Sequence, residues 1–323
     1  FDILELFAFV HPAEFVIPSP TGLAQYFNMA IPASHEDEAF VLIEAMNHLL
    51  SDLKQGLSPQ SDKAKKIILG MKDWIWMPFI AHALGVDLNI PEQSHGFKVW
   101  RDLPEWSDHA PEPAPGHHAL SEQEALDNLH GLLTHMNAEK RDEQEIYTAQ
   151  SVHAFTPRKT ENQPNIVMAE AGTGTGKTLG YLAASQKWAQ KNTGQVWIST
   201  YTKNLQRQIG HELDKAYPDP VEKRLKTVIR KGRENYLCLL NYEDLVRRAS
   251  MPGQKKMKVT AGLMARWIGA TQNGDIRGGD FPGWLVEILG YGLTAALTDQ
   301  RGECIHAACP HYNKCFIEKN IRK

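Results

Sequence analysis

Two groups of residues in this chain have the types and spacing of working chemistry. The first is Ala171-Gly172-Thr173-Gly174-Thr175-Gly176-Lys177-Thr178. Glycines at this spacing let successive backbone N–H groups converge on phosphate oxygens, and a helix that starts directly after them adds a favourable dipole. Lys177 then suits the β- and γ-phosphates of a bound nucleotide and the Thr178 hydroxyl suits Mg2+, so ATP with Mg2+ is the expected ligand. Alanine stands at the first position, where the strict pattern has glycine. The second group is Cys238, Cys304, Cys309 and Cys315, the last three spaced as Cys-x4-Cys-x5-Cys.

Phe1 to Val10 carries no basic n-region of a secretory signal, so a reducing compartment is expected and disulfides are not. Thiols grouped without oxidation commonly share a metal. Structural zinc sites favour short Cys-x2-Cys knuckles, which are absent here, and the wider gaps favour an iron-sulfur cluster. Zinc stays open on spacing alone. His306 and His311 could join such a site, although solvated loop histidines are the plainer reading.

The elements needed to position these groups are legible from periodicity. Ile166 to Ala169, Gln195 to Thr200 and Lys226 to Arg230 read as buried strands, alternating with helices over Thr178 to Lys191 and Lys203 to Ala216. Such alternation predicts an α/β fold with a parallel sheet, the phosphate loop lying at the carboxyl end of its first strand. Ser121 to His135 reads as a helix capped by Ser121, with Leu126, Leu129, Leu132 and Leu133 on one face. Further upstream, Glu36 to Leu53 and Asp62 to Gly85 each show helical spacing, and Trp74, Trp76 and Phe79 read as core. The proline-rich stretch Asp108 to His118 reads as a linker.

Charge divides unevenly. Residues 1–150 hold 9 basic and 23 acidic groups and residues 151–323 hold 26 and 15, giving −14 and +11. Between Val221 and Thr260 there are 11 Lys or Arg against 4 acidic residues, a density suited to nucleic-acid phosphates, with a solvated basic face as the alternative. The most apolar stretch, Ile67 to Val86, is interrupted by Lys72, Asp73 and His82, so no membrane span is expected and the cytoplasm is the expected location. At 42% apolar content the chain has material for two or three packed domains.

Three segments together carry a family resemblance: Glu170 to Thr178, Ser199-Thr200-Tyr201-Thr202 with Leu205, Gln206 and Gln208, and Lys231-Gly232-Arg233-Glu234-Asn235-Tyr236-Leu237-Cys238. They resemble the XPD/DinG family of iron-sulfur helicases in superfamily 2, the DinG branch most, over about Glu139 to Lys323. The resemblance implies a RecA-like P-loop sheet with an inserted, mainly helical iron-sulfur domain. It implies a 4Fe-4S cluster on Cys238, Cys304, Cys309 and Cys315, and ATP at Gly172, Thr173, Gly174, Thr175, Gly176, Lys177 and Thr178. Arg141 and Gln144 match an Arg-x-x-Gln element that helps to place the adenine, a surface pair on a helix being the plain alternative. Thr200 and Thr202 match a motif that touches the phosphates of a tracked strand, and Thr202 also suits a helix cap. Lys231 and Arg233, with Arg247, Arg248, Lys255 and Lys256, are the implied phosphate contacts of the cluster domain.

The implied activity is an ATP-dependent DNA helicase of 5′ to 3′ polarity acting on single-stranded or forked DNA. Alternatives of another class are a nucleic-acid-binding redox sensor and a zinc-bearing ATPase scaffold. The expected organisation is a mainly helical accessory region over 1–107, a linker over 108–120, a first RecA-like lobe over 121–232 and the cluster domain over 233–323. The accessory region faintly resembles a degenerate exonuclease domain: it lacks an Asp-x-Glu pair, and five residues after His35 stands Phe40. A start at Phe1, an end within Glu318 to Lys323 and no Asp-Glu-x-His box read as a chain cut short, expected to bind ATP but to hydrolyse it poorly.

Overall fold

The structure is a computed structural model that describes residues 2–107, 113–158, 160, 163–172, 174–300 and 302–322. The chain divides into two units, one formed by Phe1–His109 with Arg230–Lys323, the other by Ala110–Ile229.

In the first unit, α1 (Ile3–Val10) opens under an Asp2 cap and buries every residue from Leu6 to Val10. An all-round apolar helix must lie inside a core, and each large side chain so buried stabilises by about 1.5–3 kcal/mol. After α2 (Pro20–Tyr26) comes α3 (His35–Gln55), started by a Ser34/Asp37 capping box and ended at Gly56, where φ is +74°. Its buried stripe, Val41, Ala45, Leu49 and Leu53, has four-residue spacing.

The single helix expected over 62–85 is two, α4 (Ser61–Ile68) and α5 (Met77–Leu84). Gly70 accounts for part of the break: a Cβ there would stand 2.5 Å from the Phe97 ring, so the chain turns tightly around that side chain. Pro78, in the first turn of α5, restarts the helix. Trp74 and Trp76 are buried, and their indole N–H groups donate to the Glu5 carboxylate at 2.7 Å and the Asp2 carbonyl at 2.9 Å. Two short 3-10 turns, Ser94–Phe97 and Val99–Asp102, complete the segment.

The second unit is built on α6 (Glu122–His135), α7 (Asp142–Ser151) and α8 (Lys177–Asn192), followed by α9 (Lys203–Ala216) and α10 (Pro220–Lys226). Ser121 forms the expected cap of α6, in a capping box with Glu124. Leu129, Leu132 and Leu133 of α6 pack with Leu179 and Ala183 of α8. Asn192, buried near the end of α8, accepts from the His118 backbone N–H at 2.7 Å and donates to the His118 carbonyl at 3.1 Å, pinning residues 116–118 to that helix.

The chain then returns to the first unit as α11 (Leu239–Ala249), α12 (Lys255–Ala270), α13 (Gly283–Leu289), α14 (Tyr291–Ala296) and α15 (Phe316–Ile321). One hydrophobic core joins the two parts of this unit, running from Leu6 through Trp100 to Trp267 and Phe316. At its centre α12 is buried from Thr260 to Ile268. Arg266, 2% exposed, donates to the Phe9 carbonyl at 2.7 Å and the Ser58 hydroxyl at 2.8 Å, and its guanidinium lies 5.2 Å from the Phe9 ring centroid. With no carboxylate in that set, burial pulls its pKa down to about 10.

The RecA-like parallel sheet is not what the chain forms. Among the described residues there is no β-strand, only isolated bridges between Tyr236 and Asp275 and between Leu237 and Thr298, both in the first unit. The expected strands Ile166 to Ala169 and Gln195 to Thr200 have no regular secondary structure, and Lys226, the expected start of the third, ends α10. A parallel strand is stable only when paired along its edges and covered on both faces. Here Ile166 is 78% exposed, Met168 93% and Trp197 70%. An ATP-hydrolysing helicase needs such a sheet to carry its loop, so the expected helicase activity is corrected along with the fold.

Candidate phosphate loop and cysteine pocket

In the second unit the glycine-rich loop leads into α8. Gly174 and Gly176 have φ of +81° and +78°, the left-handed region that costs glycine least. The Gln144 carboxamide on α7 donates to the Gly176 carbonyl at 2.8 Å, and a Cβ at 176 would come within 2.3 Å of its Nε2. The Arg141 guanidinium donates to the Gly174 carbonyl. Thus Arg141 and Gln144 both meet the backbone of the loop, bracing its two left-handed residues.

Lys177 is folded back on its own loop, its ammonium donating to the Ala171 carbonyl at 2.6 Å and also to the Gly172 carbonyl. The Thr175 hydroxyl donates to Gly172 at 3.0 Å, and the Tyr181 hydroxyl, on the next turn of α8, lies beside that of Thr178. Thr173 lies outside the described residues. Tyr181 is the partner that sequence reasoning missed; its three-residue spacing from Thr178 is the signal that could have found it. Chemically, the loop presents one ammonium and the amino terminus of a 16-residue helix. Thr202, as its type suggests, caps α9 by accepting from the Leu205 N–H at 3.2 Å. Thr200 precedes it in partly exposed irregular chain, beside Tyr201, which is 99% exposed.

In the first unit all four cysteines line a single small pocket of about 30 Å3, together with Arg233, Asp299, His306, His311 and Glu318. Lining a pocket is not convergence on a point. Among the described residues no group of three or more His, Cys, Asp or Glu side chains is arranged to hold a metal ion. Burial pushes the Cys238 and Cys309 thiols up and Cys315 up to about 11. The expected 4Fe-4S cluster is therefore corrected, and the zinc-scaffold and redox-sensor alternatives lapse with it. ATP with Mg2+ is corrected for the second unit, where no strand supports the loop and the Thr178 hydroxyl meets Tyr181.

The two cations just ahead of Cys238 are both engaged inside the unit. Lys231 pairs with the buried Asp275. Arg233 donates to Glu318 at 2.6 Å, with Asp299 at 3.9 Å and the Cys304 sulfur at 3.5 Å. Burial works against ionisation of Glu318, but hydrogen bonds from Arg322 and Arg233 outweigh it and hold the carboxyl below its usual range. His311 is buried against Trp100 and bonds Glu243 at 2.7 Å, so it is a packing element rather than a solvated loop histidine.

Against known proteins, no family model matches the chain and no solved structure does. Sequence relatives do. The ATP-dependent DNA helicase YoaA of Haemophilus influenzae is 28% identical over 187 residues, covering 54% of this chain and 28% of its own length. The Escherichia coli protein of that name is 30% identical over 197 residues with the same shares. The 3'-5' exonuclease DinG of Bacillus subtilis is 31% identical over 142 residues, 43% of this chain and 14% of its own. The chain is related to the DinG and YoaA proteins. The relationship is at family level, over about half the chain, and the chain spans a little over a quarter of the YoaA length.

Proposed function

We propose that this chain, as a DinG/YoaA relative, binds single-stranded or forked DNA, and that its glycine-rich loop seats a phosphate-bearing ligand. The observation that carries the reading is the kinship with proteins named as DNA helicases. The balance of +11 over residues 151–323 supports it, since a cationic half favours a polyanion. Thr200 and Thr202 are the strand contacts in this reading, where a capped helix start offers N–H groups to phosphate. Gly172, Gly174, Thr175 and Gly176 supply backbone donors. Lys177 exchanges two carbonyl partners for phosphate oxygens, and Arg141 and Gln144 hold the loop open for them. Among the described residues no helix is long and apolar enough to cross a membrane, and the reading puts the protein at work in the cytoplasm.

Fluorescence anisotropy with a labelled oligothymidine and a labelled fork tests the DNA reading. Binding should weaken linearly in log–log form as salt rises, with a slope of about −0.7 for each phosphate neutralised on a single strand. A flat dependence or no binding would overturn it. Calorimetric titration with pyrophosphate tests the loop: Lys177→Ala should abolish heat that the unaltered chain releases.

A further inference from the structure

Six of the eleven cations in the densest basic stretch of the sequence are ion-paired within the first unit. Arg247 and Arg248 both meet Asp244, Lys255 meets Asp73, Lys258 meets Glu92, Lys231 meets Asp275 and Arg233 meets Glu318. The half-buried pairs of Lys231 and Arg233 must be broken before those cations can serve a phosphate, whereas exposed pairs such as Arg247 with Asp244 exchange at little cost.

Cations collect elsewhere. Lys63, Lys65, Lys66, Lys98 and Arg101 are five of the nine basic residues in the otherwise acidic first 150. The fold brings them together: α4 packs on the Ser94–Phe97 turn, and a Cβ on Gly96 would come within 2.2 Å of the Lys66 carbonyl. Lys63 on α4 reaches Asp102 of the Val99–Asp102 turn at 3.9 Å. From the cysteine segment, the Lys314 ammonium donates to the Arg101 carbonyl at 2.8 Å. Three elements distant in sequence thus converge around residues 101 and 102. Lys65, Lys66 and Arg101 are exposed, and among the described residues they and Lys98 make no ion pair. Asp62, Asp102, Glu105 and Glu318 are the nearby carboxylates in sequence, four against six cations when Lys314 is counted.

We propose that α4, the Val99–Asp102 turn and Lys314 form a phosphate-binding face that takes the backbone of a nucleic-acid strand. The proposal rests on the DNA-binding reading and deepens it, because it gives a role to a segment before residue 107 for which the sequence suggests none. Phosphate is the ligand chemistry favoured, since cations carried by three separate elements match a repeating row of charges better than a single carboxylate.

The test is anisotropy of labelled oligothymidine against potassium chloride concentration, using the full chain and its Lys65→Ala/Lys66→Ala/Arg101→Ala variant. Loss of three phosphate contacts should make the log–log slope less negative by about 2 and weaken low-salt binding about tenfold or more. Lys65→Glu alone, at an exposed position, should weaken it in the same direction, and Lys54→Ala, on α3, should not. Unchanged melting temperatures separate lost contacts from lost folding. If the unaltered chain binds DNA and neither variant departs from it, the face is wrong while the DNA reading stands. No binding by the unaltered chain overturns both. Binding of polyglutamate through these residues in preference to oligothymidine would also overturn the proposal, pointing to an acidic protein partner.

Discussion

Gln144 and Gly176 are a matched pair: the carboxamide of one occupies the space that any side chain at the other would need, and donates to its carbonyl at 2.8 Å. A helix upstream of the loop therefore sets the loop's conformation. Gly176→Ala should destabilise by about 1–3 kcal/mol, because it adds a clash to a left-handed backbone. Adding Gln144→Ala should recover the part of that loss owed to the clash and leave the backbone part. Urea denaturation of the two single variants and the double variant measures the coupling.

Arg266 carries the second prediction. Its guanidinium serves the Phe9 carbonyl and the Ser58 hydroxyl from a fully packed position. Arg266→Ala leaves these acceptors buried and opens a cavity, so a loss of about 3 kcal/mol or more is expected. Arg266→Lys should rescue little, since an ammonium lacks the planar fork. The urea midpoint reads this directly, and a loss below about 1 kcal/mol would show that the site relaxes.

Cys315 gives a prediction in alkali. Its thiol is pushed up to about 11 from an ordinary value near 9. Between those values the folded chain keeps a proton that the unfolded chain releases, so this group's contribution to stability falls as pH rises through that window. Iodoacetamide labelling read by mass spectrometry should find Cys315 slow at neutral pH and faster toward pH 11. Urea should abolish the difference.

Glu318 works in the opposite sense. The folded carboxyl titrates below its usual range, so its stabilisation is present above that range and lost as pH falls through the lower folded value. Glu318→Gln should cost about 1–3 kcal/mol near neutral pH, because Arg233 and Arg322 lose a charged acceptor. It should also flatten the acid limb of a stability–pH curve, which denaturation across an acid pH series would measure.

Local signals were legible and long-range ones were not. Ser121 with Glu124 announces a helix start, and the spacing from Lys203 to Ala216 gives a helix with those same bounds. Both depend on residues within one or two turns. The apolar run Ile166 to Ala169 is as compatible with a buried strand as with exposed irregular chain, because strand formation is decided by partners elsewhere. Likewise Arg141 and Gln144 are recognisable beside the loop, whereas nothing near Lys231 or Arg233 in sequence reveals that Asp275 and Glu318 take up their charges. The cationic face around Arg101 is hidden for the same reason, its members lying on segments up to 251 positions apart (Lys63 to Lys314).

The bond from Arg266 to Phe9 spans 257 residues. On a ribosome adding about 5–20 residues per second, α1 would emerge roughly 13–50 s before α12 exists to cover it. For that interval Leu6, Phe7, Phe9 and Val10, all fully buried in the finished protein, have no completed core to enter. The nascent chain therefore carries α1 as a sticky, uncovered helix for that interval. Its yield in a cell should depend on chaperone supply and on translation speed more than its final stability would suggest.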